Sequence, residues 1–334
     1  MKSVPIIPAL IFALTFCSSP EPPPIPEAKP NIIYVYTDQQ HANMMSCAGN
    51  PWLNTPAMDY IAENGIRFTR AYTTNPVCSP ARVSLITGRF ASDFKDEEGN
   101  MVRENRGSMR IPEMSPEVLQ STIATFLKQA GYDLLYGGKE HLPKMVTPSA
   151  LGFTDFTNDE RDELASKAAA YIKQDHHNPY FMVVSLINPH DICYMAIRDH
   201  SDPENPLLKR GEKELATLDW ALQYPDSISE DRFFEYHCPP LPPNFEPQED
   251  EPQAIKYMLS LRDFRVNARE LYTERDWRRH RWAYCRLTES VDSQVQIVLN
   301  ALKESGQEEN TLVLFSSDHG DLDGSFLMEH KTAL

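Results

Sequence analysis

The chain of 334 residues has no excess of basic charge: 32 Lys plus Arg stand against 48 Asp plus Glu, a formal net charge of −16. A nucleic-acid binder carries a basic patch or stripe, so this balance argues against that class and against general attraction to polyanions. The six cysteines, at positions 17, 47, 78, 193, 238 and 285, include no C-x-x-C pair. That spacing argues against a zinc ribbon or a dense disulfide framework. Beyond the amino terminus no run reaches the roughly 18 apolar residues of a membrane-spanning helix, and no internal repeat is visible. What is present is 41% hydrophobic against 24% charged residues, enough for a large core and too apolar for intrinsic disorder. At roughly 150 residues per domain the length fits two domains or one large α/β domain.

The first residues read as an export signal. Lys2 precedes a short apolar run from Ile6 to Phe16, then Cys17-Ser18-Ser19. Leu14-Thr15-Phe16-Cys17 resembles a bacterial lipoprotein box, which would place a lipid on Cys17, although Phe16 is bulkier than the usual small residue there. Residues 1–19 are therefore expected to be a signal peptide, plain or lipoprotein-type, and the protein exported to the periplasm or cell surface. Six of the eleven residues 20–30 are proline, a composition for an extended spacer.

The folded part alternates strand and helix patterns. Residues 31–37, 179–187 and 311–317 are short apolar, β-branched runs with the pattern of buried strands. Thr55-Pro56 reads as a helix N-cap and first residue with Asn64-Gly65 as its stop, and 121–130 as a helix closed by Gly131. Residues 277–305 form a helical repeat with Leu287, Val291, Val295, Val298 and Leu302 inward and Gly306 at its end. Such alternation predicts an α/β fold: a mainly parallel sheet with helices on both faces. Ligands of such sheets bind beyond the strands' carboxyl ends, where Asp38, His190 and Asp318-His319 fall. Residues 203–252, proline-rich and acidic without clear periodicity, read as a long excursion, either surface padding or a wall of a pocket.

The most informative stretch is Pro76-Val-Cys78-Ser-Pro80-Ala-Arg82-Val-Ser-Leu-Ile-Thr87-Gly88. Ser79 reads as an N-cap and Pro80 as the first helical residue, so Cys78 lies just ahead of a helix N-terminus that favours an anion. Arg82, one turn on, can reach back with its forked guanidinium. Cys47, Cys193, Cys238 and Cys285 lack such surroundings and read as buried hydrophobes. His41, His176, His177, His200, His237, His280 and His330 read as structural, and Arg275, Arg278, Arg279 and Arg281 as a salt-bridged helix face.

This C-x-P-x-R string with its Leu-Ile-Thr-Gly tail resembles the signature of the type I sulfatases, within the alkaline phosphatase superfamily. Other segments agree in order. Thr37-Asp38-Gln39-Gln40 resembles the family's first metal turn, Gly138-Lys139-Glu140-His141 its Gly-Lys-x-His motif, and Asn188-Pro189-His190 its Asn-Pro-His turn. Ser317-Asp318-His319-Gly320 resembles the second metal turn, and Glu329-His330-Lys331 the segment whose lysine contacts sulfate. The resemblance runs from about Asn31 to the last residue. It implies a catalytic domain over 31–334, truncated at its C-terminus, because members usually continue into more sheet and a smaller C-terminal subdomain.

By resemblance, Cys78 is converted by a formylglycine-generating maturation enzyme, and the hydrate of the resulting aldehyde is the nucleophile. Arg82 would hold the hydrate, Lys139, His190 and Lys331 the sulfuryl oxygens, and His141 would deprotonate the hydrate's second hydroxyl. Asp38, Gln39, Asp318, His319 and the residue at 78 would hold one Ca²⁺, oxygen-rich ligation that suits a hard cation. Gln39 stands where the family often has a second aspartate, and Glu140 where an aromatic is common. The implied activity is hydrolysis of a sulfate ester, by default on a sulfated carbohydrate or a small sulfate ester. The alternatives are a formylglycine-dependent phosphodiester or phosphonate hydrolase, and an inactive glycan-binding fragment.

Overall fold

A computed structural model describes residues 29–95, 98–101, 111 and 113–331. The expected signal peptide with Cys17, and all but the last two residues of the 20–30 spacer, lie outside the described residues. Five strands, β1 (Asn31–Asp38), β2 (Asp133–Gly138), β3 (Thr154–Thr157), β4 (Tyr180–Pro189) and β5 (Thr311–Ser317), form one sheet in the order β3-β2-β4-β1-β5. Every neighbouring pair is parallel, as the alternating pattern predicts.

Among the described residues the helices run α1 (Pro56–Glu63), α2 (Cys78–Thr87), α3 (Pro116–Gln120), α4 (Ile123–Gln129), α5 (Leu164–Ile172) and α6 (Tyr194–His200). Then follow α7 (Pro206–Arg210), α8 (Glu212–Ala221), α9 (Glu230–Tyr236), α10 (Gln253–Ser260), α11 (Asp263–Leu271) and α12 (Glu274–Glu304). The period-2 alternation of the strands divides the core. Ile33, Val35, Leu135, Met182, Val184 and Leu186 pack on α1, α5 and α12. Tyr34, Leu134, Tyr136, Phe181 and Val183 face the other way, towards α4 and Phe153. Both faces are covered, so the sheet buries near-continuous apolar strands.

The long helix α12 buries all five of the predicted inward residues, Leu287, Val291, Val295, Val298 and Leu302. It starts in a capping box between Thr273 and Asp276. At α1 the cap differs from expectation. Thr55 sits at the N-cap, but its hydroxyl pairs with Ser46, while Asp292 of α12 accepts from the N–H groups of Ala57 and Met58 at 3.1 and 2.8 Å. Strand β5 is less buried than its composition suggests. Val313 and Phe315 pack on the core, but Leu312 and Leu314 on the opposite face are 50% and 42% exposed.

The 203–252 excursion contains three short helices, α7 to α9, that the proline-broken sequence concealed. Leu218 and Ala221 of α8 pack against Ala283, Tyr284 and Leu287, and Phe233 and Phe234 of α9 against Trp282. The segment is therefore a wall packed on α12. The arginines of α12 are salt-bridged as expected, with partners mostly from α9: Arg275 meets Asp231 at 2.7 Å, and Arg279 pairs with Glu230.

Candidate active site

The carboxyl ends of β1, β2, β4 and β5 deliver Asp38, Lys139, His190 and Asp318-His319 to one edge of the sheet, as parallel topology requires. Helix α2 points its N-terminus at the same edge. Its N-cap is Val77, so Cys78 is the first helical residue, two positions earlier than Ser79-Pro80 suggested. Pro80 is tolerated at the third position because the first four N–H groups of a helix lack intrahelical partners anyway. The shift places the Cys78 thiol, 1% exposed, directly among the orphan N–H groups.

Arg82, one turn further, is equally buried. Its Nε donates to Asp318 Oδ2 at 2.9 Å and its Nη2 to Asp38 Oδ2 at 3.2 Å. Its Nη1 donates to the Lys139 carbonyl and to Ser185 Oγ, both at 2.9 Å, and its guanidinium lies 4.7 Å from the centre of the Tyr36 ring. Arg82 thus ties β1, β2, β4 and β5 together. In this state it grips the two carboxylates rather than residue 78. A buried guanidinium so enclosed is stable only because every face has a partner.

Each carboxylate keeps one oxygen on Arg82 and turns the other towards Cys78 and His319. Asp38 Oδ1 lies 3.6 Å from Cys78 Sγ and 3.7 Å from His319 Nε2, and Asp318 Oδ1 lies 3.5 Å from His319 Nε2. Among the described residues Asp38, Cys78, Asp318 and His319 are the one group of metal-ligating side chains whose donor atoms all lie within 4.8 Å of one another. Gln39 joins differently. Its main-chain N–H donates to Asp318 Oδ1 at 3.1 Å, and its amide is engaged by Asp321 at 2.5 Å and by the Cys193 thiol.

Two ammonium groups close the cluster. Lys331 Nζ is 2.9 Å from Cys78 Sγ and 3.5 Å from Asp38 Oδ1, and Lys139 Nζ is 2.5 Å from Asp38 Oδ2 and 4.0 Å from the thiol. Burial and the Asp38 charge push the thiol up, but Lys331, Lys139 and a hydrogen bond from His141 outweigh them and hold it well below the usual range. Burial likewise raises Asp38, and Lys139 and Lys331 more than reverse it. Asp318 is raised by burial and by the like charge of Asp38, against His319 and Arg82. Burial, Lys331 and Lys139 together hold His190 well below its ordinary value, so its ring is neutral. Its Nδ1 is buried without a hydrogen-bond partner.

The structure therefore gathers Asp38, Cys78, Arg82, Lys139, Asp318, His319 and Lys331 in direct contact, with His141 and His190 beside them. It also adds residues that the sequence did not single out. Ser185, an ordinary strand serine, holds Arg82. Cys193, read as structural, meets the amide of Gln39, and His330, read likewise, stands 3.9 Å from the Cys193 sulfur. No local pattern marks these residues; only the fold brings them to the cluster.

A family model for sulfatases matches residues 30–332. An ulvan-active sulfatase of Formosa agariphila is 25% identical over 89% of this chain and 52% of its own length. A Delta 4,5-hexuronate-2-O-sulfatase of Bacteroides thetaiotaomicron is 25% identical over 88% of this chain and 57% of its own length. The chain spans little more than half the length of these curated relatives. The solved structure of a 2-O GAG sulfatase matches with a TM-score of 0.67 and 22% identity, covering 92% of this chain and 61% of that one, which supports the same fold.

Proposed function

Because the chain belongs to the sulfatase family, we propose that it hydrolyses sulfate esters at the cluster around Cys78, and that its substrate is a sulfated carbohydrate or a fragment of one. The observation that carries the reading is the convergence of Arg82, Lys139 and Lys331 on a buried thiol flanked by two carboxylates. Relatives that act on ulvan and on a hexuronate 2-O-sulfate support the carbohydrate class.

Converted to formylglycine by a maturation enzyme, residue 78 would supply the hydrated aldehyde as nucleophile. Asp38 Oδ1, Asp318 Oδ1, His319 Nε2 and the oxygen then at position 78 suit a divalent cation, and the family's calcium fits the oxygen-rich part of that set. When bound, that cation would lower the pKa of the hydrate and draw in a sulfuryl oxygen. The protein's own groups do the rest. Arg82 fixes both carboxylates, so that their inner oxygens stay aimed at the site. Asp318, whose inner oxygen lies in the cluster around residue 78, takes the nucleophile's proton. Lys139 and Lys331 neutralise charge growing on the sulfuryl oxygens. Lys331, held protonated chiefly by Asp38 against burial, is the donor for the leaving alcohol. His190, held neutral, contributes an N–H hydrogen bond, and His141, beside residue 78, then removes the proton of the second hydroxyl, so that the carbon–oxygen bond to sulfate breaks, sulfate leaves and the aldehyde is restored.

The leader pattern of residues 1–19 supports export to the periplasm or cell surface, with a lipid on Cys17 as the anchor. Among the described residues no helix is long and apolar enough to cross a membrane. The test is turnover of an aryl sulfate by the matured protein beside its Cys78→Ala and Cys78→Ser variants. We expect a loss of about a thousandfold or more in kcat/KM. Retention of activity by either variant would sink the reading, and faster turnover of an aryl phosphodiester than of the sulfate would move it to the phosphonate and phosphodiester branch.

A further inference from the structure

The turn that carries His190 is gripped by charged residues to which the reaction gives no part. We propose that the buried ion pair between Arg161 and Asp191 is a positioning pair for His190. It clamps the short helical turn His190–Cys193 to the loop before α5, and so fixes where the His190 ring stands in the site. This rests on the reading of His190 as a hydrogen-bond donor to the substrate.

Three observations carry it. The first is enclosure. Asp191 is fully buried, the Arg161 side chain is 8% exposed, and Arg161 Nη2 donates to Asp191 Oδ1 at 2.6 Å. Two charges taken out of water gain little net stability from each other, and apolar residues of similar size often serve a core as well. Stability alone therefore does not account for the pair.

The second is where the pair is tied. The Asp191 N–H donates to Asn188 Oδ1 at 3.1 Å, which closes the turn on the end of β4. The Ile187 N–H donates to the Glu160 carbonyl at 3.2 Å, which fastens the loop carrying Arg161 to the same strand end. Glu160 and Glu214 of α8 hold the guanidinium at 3.0 and 3.3 Å. His190 thus lies between two clamped neighbours. Its own Nδ1 is buried without a hydrogen-bond partner, so the ring takes its orientation from the backbone beneath it rather than from an Nδ1 bond.

The third is an imbalance of charge. Three carboxylates, Glu160, Asp191 and Glu214, surround one guanidinium, and Asp191 Oδ2 is buried with no hydrogen-bond partner. Burial pushes the Asp191 carboxyl up to about 7, with Arg161 and Asn188 opposing it and Glu214 and Glu160 adding to it. Tyr194, at the start of α6, also faces this carboxyl. As pH falls through about 7, Asp191 takes a proton and the charge that grips Arg161 is lost. The clamp is closed above that pH and slack below it.

The experiment measures turnover of an aryl sulfate by the matured full chain and by a variant carrying Arg161→Met with Asp191→Leu, which leaves no orphan charge to unfold the core. We expect kcat to fall about tenfold to a hundredfold, with KM within about threefold of wild type. In a His190→Ala background the same two changes should cost less than about twofold, because a positioning pair acts only through the ring. The ratio of wild-type to variant kcat should also shrink towards one as pH drops through about 7. With isotope-labelled histidine, the His190 ring signal, assigned by its loss in His190→Ala, should shift in the variant. That signal needs no turnover. If the unaltered protein fails to cleave the sulfate, the sulfatase reading falls while the ring signal still decides the clamp. Losses that multiply in the two backgrounds, a kcat ratio indifferent to pH, or a ring signal that does not move would each overturn the proposal.

Discussion

Glu329 shows what burial costs a single residue beside this site. Its side chain is 4% exposed, and neither carboxylate oxygen has a hydrogen-bond partner. Burial, with Asp321 adding to it and Arg265 opposing, pushes it up to about 8. Between the ordinary glutamate value and about 8, the native state therefore holds a proton that the unfolded chain has released. Glu329 lowers stability as pH rises through that window, by up to about 1.4 kcal/mol per pH unit. Glu329→Gln copies the neutral form, so its unfolding free energy relative to wild type should climb between about pH 5 and pH 8. Urea denaturation at several pH values would show it, and a difference that stays flat would contradict the burial argument. The residue-level legibility of the site follows the same physics. Cys78 and Arg82 were readable because the C-x-P-x-R spacing puts both at the start of one helix, and Lys139 and Lys331 only because their segments resemble those of a known family. Ser185, Cys193 and Glu329 were not, because what makes them matter is enclosure by distant segments.

At the scale of elements, the site depends on how closely the strand ends approach one another. Gly138 closes β2 at φ +90°, and a Cβ there would stand 2.1 Å from the Ser185 carbonyl oxygen and 2.7 Å from Leu164 Cδ2. Leu164 can turn aside, but the backbone of β4 cannot, and Lys139 donates its N–H to that same carbonyl at 2.9 Å. Gly138→Ala should cost about 2–5 kcal/mol, adding left-handed strain to overpacking, and should displace Lys139 enough to remove most activity. Gly49→Ala is the control: the same φ of +90° but no atom within 4 Å, so a cost of only about 1 kcal/mol. Equal losses of stability in the two variants would show that strain alone, not strand approach, is at work. Periodic elements such as β1, β4 and α12 were legible because burial imposes their patterns. The α2 start was misread by two residues because proline fits several positions of a first turn. Helices α7 to α9 were hidden because five to ten residues cut by prolines give too few turns for an apolar stripe to declare itself.

The whole molecule carries a formal charge of −16, yet the site assigned to an anionic ester gathers Arg82, Lys139 and Lys331. The two facts act over different distances. The three cations lie within hydrogen-bonding reach of Asp38, Asp318 and the thiol, so their field is largely spent inside the cluster and reaches a substrate only on contact. The acidic surplus is spread over the chain and is felt across a screening length of about 30 Å at 0.01 M salt, shrinking to about 8 Å at 0.15 M. A polysulfated oligosaccharide approaching the matured enzyme at low salt should therefore be repelled before it docks. Raising ionic strength from about 0.01 to about 0.15 M should increase its kcat/KM by about two- to tenfold. A monosulfated aryl ester, with one charge and a short approach, should change little. Steady-state kinetics of the two substrates over the same salt series would decide the matter. A kcat/KM for the oligosaccharide that falls with salt would mean that a basic docking surface, not the local cluster alone, brings the substrate in.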